Sequence, residues 1–285
     1  MILRKEIQDL ANTWGVPPDT VDKDYVLGHF LAGFYQHFGD QLIFKGGTCL
    51  RKCYFPGYRF SEDVDFSSRS GDFELTADQL EMVCQTISGH SGILLSPEAV
   101  NPLFHKDEPK GFQVKIRYWG ANHSKNQEPP SPERWRTKIK LEISTDEILL
   151  TPLDLREINH PYSDALMNTE PIECYTIDEI IAEKLRSLVQ RSYTAPRDIY
   201  DIYRLTNNFS KDDWQRIFPV FKAKMDHKDL VYNHASDLID ERSLDRVRKA
   251  WENSMAHQIP KHEEKDKENI MQSVAERIKE HLPKR

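Results

Sequence analysis

The stretch from Lys45 to Phe66, KGGTCLRKCYFPGYRFSEDVDF, decides how the rest of the chain is read. It follows a short apolar run, Leu42-Ile43-Phe44, opens on the pair Gly46-Gly47 with Thr48, and closes on Asp63 and Asp65. A strand, a glycine turn and a helix start make a seat for phosphate, because glycine lets the backbone approach closely and free amide N–H groups point at the anion. Two Asp separated by one residue on a strand lie on one face, as a hard divalent cation requires. Phosphate seat and metal carboxylates together point to a nucleotide.

Working outward, residues 1–14 have the spacing of a short amphipathic helix ended by Gly15 and Pro17-Pro18. A second helix is expected from Asp19 or Thr20, with Tyr25, Leu27, Phe30, Leu31, Phe34 and Phe38 at its apolar positions. Gly39-Asp40 turns the chain into a strand over 41–45, and Pro56-Gly57 must end the helix that carries Leu50, Arg51 and Lys52. From Tyr58 the alternation puts Arg59, Ser61, Asp63 and Asp65 on one strand face, against Phe60, Val64 and Phe66. A helix is expected over 76–88. Strands are expected over 111–119 and 138–144, with Gln113, Lys115, Arg117, Lys140 and Glu142 on their open faces. Beyond residue 177 the pattern is helical, with a boundary near 155–175. Its last element carries Ile270, Val274, Ile278 and Leu282 as one docking stripe.

At 285 residues and 38% hydrophobic content the chain can bury a real core, and its net charge of −7 excludes a protein that coats nucleic acid with its whole surface. Reduced thiols and a cytoplasmic setting are expected from four scattered Cys and no long apolar run. Cys49 and Cys53, four apart on a helix, read as packing. Eleven His without H-x-x-x-H spacing give no expectation of zinc. The motifs G-x-S-x-G, G-x-x-x-x-G-K-[ST] and G-x-G-x-x-G are absent from the sequence, so triad-hydrolase, P-loop and Rossmann readings have no anchor.

Glu142 could complete a carboxylate trio with Asp63 and Asp65 and act as general base; the alternative is a solvent-facing Glu. Helical geometry places Lys184 amid Ile177, Ile180, Ile181 and Leu188. Such a lysine either snorkels or meets an anion in a cleft. Asp198 and Asp201 share a face of the next helix, and either could be that anion. Arg197 could serve phosphate or cap a turn. Arg51, Lys52, Arg59, Lys115 and Arg117 are expected around the same sheet face, where cations can offset a triphosphate or an RNA backbone.

The stretch FKGGTCLRKCYFPGYRFSEDVDFS resembles the AbiEii-type nucleotidyltransferase toxins, a branch of the DNA polymerase β-like superfamily, in which GG[ST] is followed by R-x-S-x-D-x-D-F. The resemblance extends to DKDYVLGHFL, KIKLEIS, EKLRSLVQR and RDIYDIY, and so to most of the chain. It implies that Gly46, Gly47 and Thr48 hold the triphosphate and that Asp63 and Asp65 hold the metal; Arg51, Arg59, Ser61 and Asp201 are expected around the nucleotide from charge and strand or helix face. Lys184 and Asp198 match the third and fourth motifs. Glu142 departs from the wider superfamily, where Asp is the commoner third carboxylate.

The expected architecture is α+β: a polymerase-β-like domain with a mixed sheet over 1–160, and a helical bundle over 161–285 that closes the nucleotide cleft. The resemblance implies transfer of NMP from an NTP to an acceptor hydroxyl, at the 3′ end of tRNA, with Mg²⁺ or Mn²⁺. It also implies a separately encoded antitoxin, a place in phage defence and no membrane. Two alternatives stay open: a small-molecule or protein acceptor, and an NTP sensor without transfer.

Overall fold

A computed structural model describes residues 1–105, 107–124, 126–191, 195–263 and 266–282. The chain divides into two compact units. The first comprises Met1–Glu147, Asp154–Cys174 and Pro260–His262, and the second Ile148–Leu153, Tyr175–Ile259 and Glu263–Arg285.

The first unit begins with α1 (Arg4–Trp14), ended by Gly15 in the left-handed conformation at φ 71°. Helix α2 (Pro18–Phe38) starts slightly ahead of the expected position. Proline lacks the N–H that the first helical turn leaves unpaired, so Pro18 opens this helix at no cost. The six expected apolar positions of α2 are all buried, and Val21, Val26 and Ala32 are buried with them. Helix α2 is therefore enclosed on most of its circumference rather than along one stripe.

Eight strands among the described residues form one mixed sheet. They are β1 (Leu42–Lys45), β2 (Asp63–Ser68), β3 (Leu94–Pro97), β4 (Asn101–His105), β5 (Glu108–Trp119), β6 (Lys138–Ser144), β7 (Leu153–Arg156) and β8 (Ile172–Tyr175). Their order is β3-β5-β6-β2-β1-β8-β7, with β4 pairing β5. Strand β2 runs antiparallel to β1 and parallel to β6. The period-2 patterns hold: Val114, Ile116 and Tyr118 on β5 and Ile139, Leu141 and Ile143 on β6 are buried, while Lys115 is exposed and Lys140 and Glu142 are half-buried. Between β1 and β2 the chain forms α3 (Gly46–Cys49), which passes into a π-helical turn at Leu50–Tyr54 ahead of Pro56. Helix α4 (Ala77–Ser91) opens with a capping box between Thr76 and Gln79.

The second unit contains α5 (Ile177–Gln190), α6 (Pro196–Leu205), α7 (Lys211–His227), α8 (Glu241–Met255) and α9 (Lys267–His281). Helix α5 packs on α6 and α7, and α6 packs on α8 and α9. Ile270, Val274, Ile278 and Leu282 are all buried, so the terminal stripe docks as its spacing predicts. No helix among the described residues is long and apolar enough to cross a membrane.

Candidate active site

The register of β2 collects the charged residues. Asp65 stands opposite Glu142 of β6 and Lys45 of β1, while Asp63 stands opposite Lys140. Gln113 of β5 follows on the far side of Glu142, its Nε2 3.5 Å from Glu142 Oε2. Because side chains alternate along a strand, Asp63, Asp65, Lys140 and Glu142 lie on one face. The three expected carboxylates are thus brought together on two neighbouring parallel strands, and Lys140 Nζ binds Glu142 Oε2 at 2.8 Å.

The glycine pair is fitted to this face. Gly46 has φ +80°, and a Cβ placed there would lie 2.5 Å from Asp65 Oδ2. A Cβ on Gly47 would meet the Arg59 guanidinium at 2.8 Å and Ser61 Oγ at 3.0 Å. Gly46 requires glycine by its positive φ, and at Gly47 a side chain would have to displace the buried Arg59 guanidinium. Arg59 and Ser61 are buried, but they precede the strand, which begins at Asp63; they reach the site by lying over Gly47 rather than through strand alternation. The Thr48 hydroxyl is also buried and donates to the Asp63 carbonyl, tying the helix start to β2.

Arg51 and Lys52 depart from the expected open face. Both are buried, with Arg51 Nε 2.6 Å from Asp24 Oδ1 and Lys52 Nζ 2.8 Å from Asp24 Oδ2. Arg51 also donates to the Tyr58 carbonyl, and its guanidinium lies 3.5 Å from the Phe60 ring centroid. The π-helical turn redirects these side chains toward α2, which helical spacing from Gly46 does not anticipate. Arg117 pairs with Glu98 at 2.8 Å, and Lys115 stays exposed.

Burial pushes the Asp65 carboxyl up to about 7, and the charges of Asp63 and Glu142 add to the rise against the opposing Lys45 and Lys140. A buried Asp65 carboxyl that resists ionising beside two further acidic residues belongs to a donor set whose charge a hard divalent cation would neutralise. The cradle at Gly46, where a side chain would displace Asp65, fits the same purpose. The residues fit Mg²⁺ in donor type, and strand register sets all three on one face.

In the second unit Lys184 is buried on α5, as its apolar surroundings predict. Its Nζ lies 3.2 Å from Asp198 Oδ1 and 2.5 Å from Asp201 Oδ2, so both candidates are its partners. Arg191 also binds Asp198. A second buried pair joins Lys224 of α7 to Glu179 of α5 at 2.7 Å, and Glu179 accepts from the Thr151 amide at 2.9 Å.

Sequence reading passed over Asp24 and Lys45 as site residues, and gave Lys140 no role. The antiparallel return of β2 on β1 would have paired Lys45 with Asp65, and the alternation that selected Glu142 selects Lys140 equally. Asp24 carried no such signal, since its partners lie 27 and 28 residues away.

The sequence profile of the family described as "Nucleotidyl transferase AbiEii toxin, Type IV TA system" matches residues 29–273. No curated protein matches in sequence. Among solved structures the fold is similar to MenT4, a nucleotidyltransferase toxin from Mycobacterium tuberculosis H37Rv. The TM-score is 0.57 at 19% identity, over 96% of this chain and 99% of that one. That likeness concerns the fold. The family match spans most of the chain and includes every residue of the carboxylate face and the glycine pair, and the chain belongs to the AbiEii family of nucleotidyltransferase toxins of type IV toxin–antitoxin systems.

Proposed function

We propose that the chain transfers a nucleoside monophosphate from an NTP to the 3′-terminal hydroxyl of tRNA and releases pyrophosphate. The observation that carries this reading is the β2–β6 register, which sets Asp65 beside Glu142 on the face that Gly46 leaves open. Asp63, Asp65 and Glu142 would hold Mg²⁺, which when bound supplies charge neutralisation at the phosphates and favours ionisation of the acceptor hydroxyl. The amides at Gly46 and Gly47 would take the phosphate oxygens, with Arg59 and Ser61, which lie against Gly47, supplying a cation and a hydroxyl. Glu142 would accept the hydroxyl proton. Thr48 serves by fixing the helix start, and Arg51 by holding the π-helical turn. Lys184, held by Asp198 and Asp201 within the second unit, matches the third motif of the family resemblance. The exposed Lys115 offers a contact for an RNA backbone. In the cell the chain would act in the cytoplasm, restrained by a separately encoded antitoxin, with phage defence as its setting.

The test is incubation of the purified chain with each labelled NTP, Mg²⁺ and bulk tRNA. Label in tRNA that is lost in Asp63→Ala supports the proposal. Label only in small molecules or protein would move the acceptor, and tight NTP binding without transfer would make the chain a sensor.

A further inference from the structure

We propose that His29, His160 and Asp164 form a binding site for a divalent transition-metal ion, zinc by preference, apart from the carboxylate face. One ring nitrogen from each histidine and a carboxylate oxygen lie within 4.8 Å of one another. His29 Nε2 is 3.4 Å from Asp164 Oδ2, and His160 Nε2 is 3.1 Å from Asp164 Oδ1. Ligands about 2.0–2.2 Å from a tetrahedral zinc are separated by roughly 3.3–3.6 Å along each edge; the two histidine–carboxylate spacings, made to different oxygens of Asp164, lie near that length, and the whole set closes to within 4.8 Å.

Hydrogen bonds from His160 and Tyr25 satisfy Asp164, and the Met1 ammonium lies 3.8 Å from its Oδ2, but His29 Nε2 is left unexplained. His29 is almost wholly buried, and its Nε2 faces the carboxylate with no hydrogen-bond partner. A buried ring nitrogen is rarely left so, and a metal would satisfy it. Burial pushes the His29 imidazole down to about 4, aided by His160, and burial lowers His160 as well.

The surroundings suit a supported ligand set. Tyr25 Oη donates to Asp164 Oδ2 at 2.6 Å, the outer hydrogen bond that orients a ligating carboxylate. Tyr162, between the other two ligands in sequence, donates to Asp24 Oδ2 at 2.7 Å and so anchors their loop to α2, which carries His29. Asp164 is partly exposed, which opens the site to an entering ion and a water as fourth ligand. The ligands come from residues 29, 160 and 164, a spacing outside any zinc motif, so no local pattern marks them.

The full chain, stripped of metal by chelator dialysis and kept in excess Mg²⁺ to fill the carboxylate face, would be titrated with Zn²⁺ against a chromophoric chelator. Co²⁺ would be used for absorption spectra. One Zn²⁺ per chain is expected, with visible d–d bands of four-coordinate Co²⁺ and no thiolate-to-metal charge transfer. His160→Gln and Asp164→Asn should each weaken Zn²⁺ by more than the about 10- to 100-fold that losing a supporting hydrogen bond costs. Zn²⁺ should raise the Tm of the wild type and leave those variants unmoved, while their metal-free unfolding curves report that they fold. Unchanged Zn²⁺ affinity in both variants overturns the proposal. So does a thiolate band lost in Cys53→Ser, because Cys49, Cys53 and Cys174 also lie with their sulfurs within 4.8 Å of one another and would then be the metal's holders.

Discussion

Asp65 and Glu142 stand directly opposite each other on parallel neighbours β2 and β6, two acids held side by side by backbone register. That pairing opposes ionisation of Asp65, whose carboxyl is raised to about 7 by burial first and then by Asp63 and Glu142. A carboxyl raised in the folded state binds its proton more tightly than in the unfolded chain. Stability should therefore fall as pH rises from about 4 to about 7 and level off above. Asp22 is raised to about 7 as well, by burial, and contributes over the same window. Asp65→Asn isolates the first effect. In metal-free buffer the variant should gain Tm relative to wild type at pH 7.5 and show no such gain at pH 4.5, and added Mg²⁺ should close the gap by stabilising only the wild type.

Activity should move the other way. Asp63→Asn and Asp65→Asn should each lower nucleotidyl transfer on the order of 10³-fold, the several kcal/mol that a metal-held charge stabilisation supplies. Retained transfer in both variants, measured as labelled product with folding checked by circular dichroism, would remove the metal assignment.

Gly46→Ala should cost about 1–2 kcal/mol for an L residue in the left-handed region. Its methyl would also push the Asp65 carboxylate away, since that oxygen lies 2.5 Å from the Cβ position. Urea unfolding measures the first effect and Mg²⁺ affinity the second. A variant with wild-type Mg²⁺ affinity would show that the glycine serves only the turn.

Asp24 holds two buried cations at once. Burial pushes its carboxyl up, but Arg51 and Lys52 overcome that and hold it well below the usual range. Asp24→Ala leaves both cations buried without this partner and should cost about 3–5 kcal/mol. The expected readout is a fall in urea midpoint with m unchanged, together with reduced transfer because the helix after Gly47 loses its anchor. Lys52→Met combined with Asp24→Leu should recover part of the loss.

The difference between what the residues predicted and what the fold contains follows from range. Asp63, Asp65 and Glu142 were legible because period-2 alternation determines a strand's faces from a few neighbouring residues, and Lys184 because an α-helix repeats predictably. Arg51 and Lys52 were misplaced because a π-helical turn changes that repeat without a mark in composition. Arg59 and Ser61 kept their place at the site although the strand stops short of them, since Gly47 supplies the space they fill. His29 with His160, like Cys49 with Cys174, meets through topology alone, and no local period encodes such a pairing.

Glu142 distinguishes a general base from a charge partner. Its carboxylate lies 2.8 Å from Lys140 Nζ, so a purely structural role predicts that Glu142→Gln and Lys140→Met lower transfer to a similar degree. A base role predicts that Glu142→Gln lowers kcat by about 10²–10⁴-fold at saturating Mg²⁺ with Mg²⁺ affinity little changed, whereas loss of a metal ligand weakens Mg²⁺ as well, and Lys140→Met lowers kcat far less. It also predicts that the acidic limb of the kcat–pH profile flattens in Glu142→Gln alone. Removing the Glu142 charge should in addition ease ionisation of Asp65 and raise the metal-free Tm at pH 7.5, whichever role it has. That shared gain reports that the variant is folded and that the β2–β6 register is intact, so the pH profile alone decides between the two.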